Sequence, residues 1–123
     1  MPSPDAAYPT RGLTEPDRRR YPRYTVQVQI EIHQETNNVP MRLETTDLSR
    51  GGCYVQMMLP LEVGAAVRMT LWLDHDPIVV RGRVVTRHPQ FGNGIMFTDF
   101  EDQAKQFLNR YLDAIAYLGL APD

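Results

Sequence analysis

From Tyr24 onward, apolar and polar positions alternate strictly. Val26, Val28, Ile30 and Ile32 point one way, and Thr25, Gln27, Gln29, Glu31 and His33 point the other. Period two with β-branched side chains predicts a half-buried strand over residues 24–35. Thr36, Asn37 and Asn38 are turn residues, and a second strand follows over 41–46. Residues 47–52, Asp-Leu-Ser-Arg-Gly-Gly, read as a tight bend, since paired glycines after Asp and Ser permit close backbone approach. A third strand runs over 53–57, and Pro60 and Gly64 bracket the turn after it. Val67, Met69, Leu71 and Leu73 alternate with Arg68, Thr70 and Trp72 in a fourth strand. Residues 74–77 turn into a fifth strand, 78–88, with Arg81, Arg83, Val85 and Arg87 on one face. Pro89 and then Gly92, Asn93 and Gly94 turn again, into a short sixth strand over 95–98.

Beyond Glu101 the period changes. Ala104, Phe107, Leu108, Tyr111, Leu112, Ile115 and Leu118 recur at three- and four-residue spacing, which predicts an amphipathic helix over 101–118. Asp99 is placed to cap it, with Glu101 and Asp102 in the first turn where the helix dipole favours carboxylates. Gly119 and Pro122 stop it, leaving 119–123 as a tail. Six strands followed by one helix predict a mainly β fold, a small six-stranded antiparallel barrel with a packed C-terminal α-helix. Residues 1–17 hold Pro2, Pro4, Pro9 and Pro16 and few large aliphatic side chains, which predicts a flexible N-terminal arm. The folded domain is expected over 18–118.

At 123 residues the chain fits one domain with a core of its own. Its formal net charge of −2 argues against a protein that coats nucleic acid. Cys53 is the only cysteine, so no disulfide forms within the chain. No apolar run approaches the ~20 residues that cross a membrane. The N-terminus lacks the pattern of a signal peptide, so a cytoplasmic location is expected.

Against that acidic balance, positive charge is concentrated in one place. Arg18, Arg19, Arg20 and Arg23 fall within six residues and make up a third of the twelve arginines; Lys105 is the only lysine. Pro22 sets its own φ and pushes Tyr21 towards extended geometry, so this run is not helical. Guanidinium forks neutralise phosphates in bidentate fashion and stack flat on aromatic rings. The run therefore suits a small anionic ligand carrying both phosphates and bases. Other chemistries lack their residues. His33, His75 and His88 show no zinc-ligand spacing, and 74–76 reads as a hydrated turn. Ser49 lacks the strand–elbow–helix context of a hydrolase nucleophile, and Cys53 reads as a small buried apolar residue. No phosphate-binding Gly-Lys-Ser/Thr loop occurs.

Two elements remain, the arginine run and the bend at 47–52, and together they resemble the PilZ domain, a bacterial receptor module for cyclic di-GMP. Arg19-Arg20-Tyr21-Pro22-Arg23 is similar to the family's RxxxR motif. Asp47-Leu48-Ser49-Arg50-Gly51-Gly52 is similar to its (D/N)xSxxG motif, and Gly94-Ile95-Met96-Phe97 resembles its last barrel strand. The resemblance spans roughly residues 18–117. It implies that Arg19 and Arg23 grip phosphates and meet guanine, that Asp47 and Ser49 contact the base, and that Gly52 allows the bend. Arg18 precedes the motif as in members that take an intercalated pair of nucleotides, so two ligands per chain are expected. Arg20, Arg50, Gly51 and Arg87 are candidates for further contacts.

The implied function is a sensor, with no resident cofactor and no catalysis. Ligand binding is expected to order the arginine segment over the barrel and to present a composite surface to a protein partner. The alternative is a PilZ-like interaction adaptor with little or no nucleotide binding. Monomer and homodimer both fit.

Overall fold

The structure is a computed structural model that describes residues 21–37, 39–74 and 76–118. The expected arm at 1–17, Arg18, Arg19, Arg20, His75, and the stop and tail at 119–123 lie outside the described residues. Six strands, β1 (Gln29–Gln34), β2 (Met41–Leu48), β3 (Gly52–Gln56), β4 (Ala66–Leu73), β5 (Asp76–His88) and β6 (Gly92–Phe100), precede one helix, α1 (Ala104–Tyr117). The strands close into an antiparallel barrel in the order β1-β2-β3-β6-β5-β4. Closure gives every strand two neighbours and leaves no open edge.

The alternation seen in the sequence sets the two faces. Ile30 and Ile32, Val55, Val67, Met69 and Leu71, Val80 and Val84, and Ile95 point inward and are almost wholly buried. α1 packs on β5 and β4 and adds Ala104, Leu108, Leu112 and Ile115 to the core. Arg81, Arg83, Val85 and Arg87 are exposed, but a bulge between Val84 and Thr86 breaks the single face expected for them, so that Arg87 pairs with the buried Asn93.

Several boundaries differ from the sequence reading, each for a local reason. β1 begins at Gln29, not at residue 24. The regular β1–β2 ladder ends at Gln29 and Glu44, and on its other side β2 bulges between Thr45 and Asp47 in its pairing with β3. The Thr45 hydroxyl takes over, accepting from Val28 N at 3.0 Å and donating to Val26 O at 2.8 Å. Beyond the bulge, Tyr24 and Leu48 exchange both backbone hydrogen bonds in an isolated bridge.

β6 runs to Phe100, well past the expected end at 98, because Asp99 and Phe100 still pair with Arg81 and Val80 of β5. Asp99 therefore cannot cap the helix; its Oδ1 accepts from Phe100 N. α1 starts at Ala104 after Gln103, without a side-chain cap and without a carboxylate in its first turn. Glu101 instead accepts from Arg68 Nε at 3.3 Å and lies 3.6 Å from Arg81. At the other end of the stripe Leu118 is exposed.

Asn93, expected in a turn, is wholly buried. Its Nδ2 donates to Leu61 O at 2.9 Å and Thr86 O at 3.0 Å, and its Oδ1 accepts from Leu61 N at 2.7 Å. One side chain thus pins the loop between β3 and β4 to the bulge in β5. Substituting Asn93 with Ala strands these backbone groups, and urea unfolding should show a loss of at least about 2 kcal/mol.

Candidate functional site

The β2 bulge fixes where Asp47 points. Asp47 pairs with Tyr54 of β3, and its Oδ2 accepts from Arg23 Nη1 at 3.1 Å. The carboxylate side chain is 14% exposed and the arginine 40%. Arg23 has five N–H donors, and this pair uses one of them. The other carboxylate oxygen, Oδ1, is buried and has no hydrogen-bond partner among the described residues. Buried carboxylate oxygens are nearly always hydrogen-bonded, so an unfilled acceptor marks a place for an incoming donor.

Ser49 organises the bend that follows. Its backbone N donates to Gly52 O at 2.8 Å, and its Oγ accepts from the amides of Gly51 and Gly52, both at 3.1 Å. The hydroxyl is also 3.3 Å from Gly52 O. Its hydrogen-bonding capacity is therefore taken up by the backbone, and it shapes the bend from within.

Gly52 is required by the barrel. A β-carbon there would sit 2.2 Å from the carbonyl oxygen of Ile95 on β6, a backbone atom that cannot yield. At Gly51 a β-carbon would come within 3.2 Å of the Tyr21 ring. Tyr21 thus packs over the bend, which brings the segment 21–23 and the bend 47–52 together as two sides of one site.

Two arginines expected nearby are engaged elsewhere. Arg50 turns to the helix, where its Nε donates to Asn109 Oδ1 at 3.0 Å and its Nη2 pairs with Asp113. This ties the bend to α1. Arg87 donates to Pro60 O at 3.4 Å and lies 3.9 Å from Glu62, against the loop between β3 and β4.

Tyr54 was not singled out by the sequence reading, yet it stands beside Asp47 on the outer wall. The signal was its phase, since Cys53 and Val55 on either side of it point inward. Its hydroxyl shares a 2.9 Å hydrogen bond with His88 Nδ1, and the two rings lie 5.8 Å apart at 37°. Burial and then the Asp47 charge raise the Tyr54 pKa, so it stays a neutral phenol. Cys53 lies on the inner side. Burial first, then Asp47, push its pKa up to about 12, so it remains an inert thiol. No three His, Cys, Asp or Glu side chains among the described residues are grouped to hold a metal ion.

A closed six-stranded barrel with a C-terminal helix, a carboxylate at the end of β2 and an arginine brought against it from before β1 defines a small β-barrel binding domain. The family model of the PilZ domain matches residues 17–114, and the chain belongs to that family. Solved structures agree on the fold. The motility inhibitor MotI/DgrA of Bacillus subtilis superposes with a TM-score of 0.66 at 17% identity, over 82% of this chain and 52% of its own. MrkH of K. pneumonia, solved as a c-di-GMP complex, gives 0.67 at 16% identity, over 84% and 53%. The PilZ domain of YcgR from Escherichia coli, solved with c-di-GMP, gives 0.58 at 14% identity, over 84% and 92%. The chain thus spans about half the length of MotI/DgrA and MrkH. No curated protein matches the sequence.

The geometry separates groups that build the site from groups that face a ligand. Gly52→Ala drives a β-carbon into the Ile95 carbonyl, and thermal melting should show a loss of about 3 kcal/mol in ligand-free protein.

Proposed function

We propose that this chain is a receptor for cyclic di-GMP, bound on the outer wall of the barrel between the arginine segment and the bend at 47–52. The observation that carries the reading is the Asp47 carboxylate. One oxygen is held by Arg23, and the other is buried without a donor. The edge of guanine offers N–H donors that match such an acceptor. Arg23 keeps its remaining donors for the phosphates, and charge-assisted bidentate bonds are the strong ones. Arg19 adds a second phosphate grip, with Arg20 a candidate for a further contact. The ligand's two negative charges offset the mutual repulsion of these arginines. Arg18 before the motif supports an intercalated pair, hence two nucleotides per chain.

Signalling follows from the same contacts. Drawing the arginine segment onto the barrel creates a surface made jointly of protein and nucleotide, and a protein partner reads that surface. The role is that of a sensor without catalysis. A second reading, an interaction adaptor with little nucleotide binding, is favoured by exposed Met58, Leu59 and Phe91 at one end of the barrel.

Calorimetric titration with cyclic di-GMP tests the proposal and counts the sites. Arg23→Ala removes a charge-assisted bond worth roughly 1.5–3 kcal/mol and should weaken binding at least tenfold. Near-wild-type affinity in that variant overturns the assignment, and absence of heat with the wild type favours the adaptor.

A further inference from the structure

Asp47 stands in a row of paired residues that crosses four strands. Asp47 faces Tyr54, Tyr54 faces Gly94, and Gly94 faces Thr86. Cys53 and Val55 flank Tyr54 and Ile95 follows Gly94, all buried in the core, and past the bulge after Val84 Thr86 is exposed, so the row lies on the outer wall. Directly paired residues bring their β-carbons within about 4.5–5.5 Å, which roots Tyr54 beside Asp47, and from there its ring reaches across β6 to His88.

Gly94 leaves that ring uncrowded. No side chain stands between Tyr54 and Thr86, and a β-carbon at Gly94 would come within 2.5 Å of Thr86 Oγ1. Past Gly94 on the same strand, Met96 is 47% exposed and pairs with Gly52. Its thioether adds a polarisable apolar surface. The hydrogen bond to His88 and the contact between the two rings hold the Tyr54 ring in place before any ligand arrives. A pre-set aromatic surface loses little freedom on binding.

We propose that Tyr54, flanked by Met96 and by the gap at Gly94, is the stacking platform for a nucleobase whose polar edge is held at Asp47. The proposal rests on the receptor reading above and adds a residue to that site. The platform explains how a shallow outer wall holds a base. Asp47 supplies the directional contact, and the aromatic face supplies contact area that a carboxylate and an arginine lack. His88 is a positioning residue, acting through the Tyr54 hydroxyl.

Cyclic di-GMP is titrated calorimetrically into the wild type, Tyr54→Leu and Tyr54→Phe. Leu keeps apolar bulk but removes the aromatic face, and affinity should fall between about five- and a hundredfold, the range for one base–aromatic stack. Phe restores the face and should recover most of that loss. Should the Leu variant fail to fold, the wild-type complex still decides: proton NMR should show close contacts between the Tyr54 ring and guanine. Unchanged affinity in Tyr54→Leu, equal losses in Leu and Phe, or no ring–base contact overturns the platform while the receptor reading stands. No binding by the wild type removes both.

Discussion

Barrel closure through β1 is the constraint on which the site depends. This six-residue strand pairs with β2 on one side and β4 on the other, and its Ile30 and Ile32 fill the core. Closing a small barrel demands strongly bent strands, and β2 bends by the bulge at Thr45/Asp47. Past the end of the β1–β2 ladder, the segment before β1 is held by the Thr45 hydroxyl and then by the Tyr24–Leu48 bridge. That path delivers Arg23 to Asp47. The binding geometry is thus a consequence of how the barrel closes.

Within the motif at 47–52, architecture and recognition are divided between residues. Ser49 folds the bend by occupying its own hydroxyl with two amides, and Gly52 lets β3 approach β6. Asp47 holds a buried carboxylate oxygen with no hydrogen-bond partner among the described residues. Arg50 links the bend to α1 through Asn109 and Asp113.

Much of this was legible in the sequence because it depends on local periodicity. Alternating β-branched residues specified the strands and their inner faces, and the change of period beyond Glu101 specified the helix, which the structure starts at Ala104. What was not legible depends on long-range pairing. Asp99 has the chemistry of a helix cap, but its strand neighbour Arg81 keeps it in β6. Asn93 has the chemistry of a turn, yet it is wholly buried because the loop at Leu61 folds over it. Arg50 and Arg87 looked like anion ligands, and their partners on α1 and in the loop between β3 and β4 lie far away in sequence. Tyr54 lay outward by its phase, but the bulge in β2 that shifts the register is what pairs it with Asp47.

The central claim is that the outer wall at Asp47 is the ligand face, and backbone NMR mapping with cyclic di-GMP tests it most directly. Amide shifts should concentrate at Arg23, Asp47, Gly51 and Tyr54 and leave the opposite wall at His33, Arg68 and Arg81 unmoved. Shifts confined to that opposite wall, or none at saturating ligand, would contradict the account.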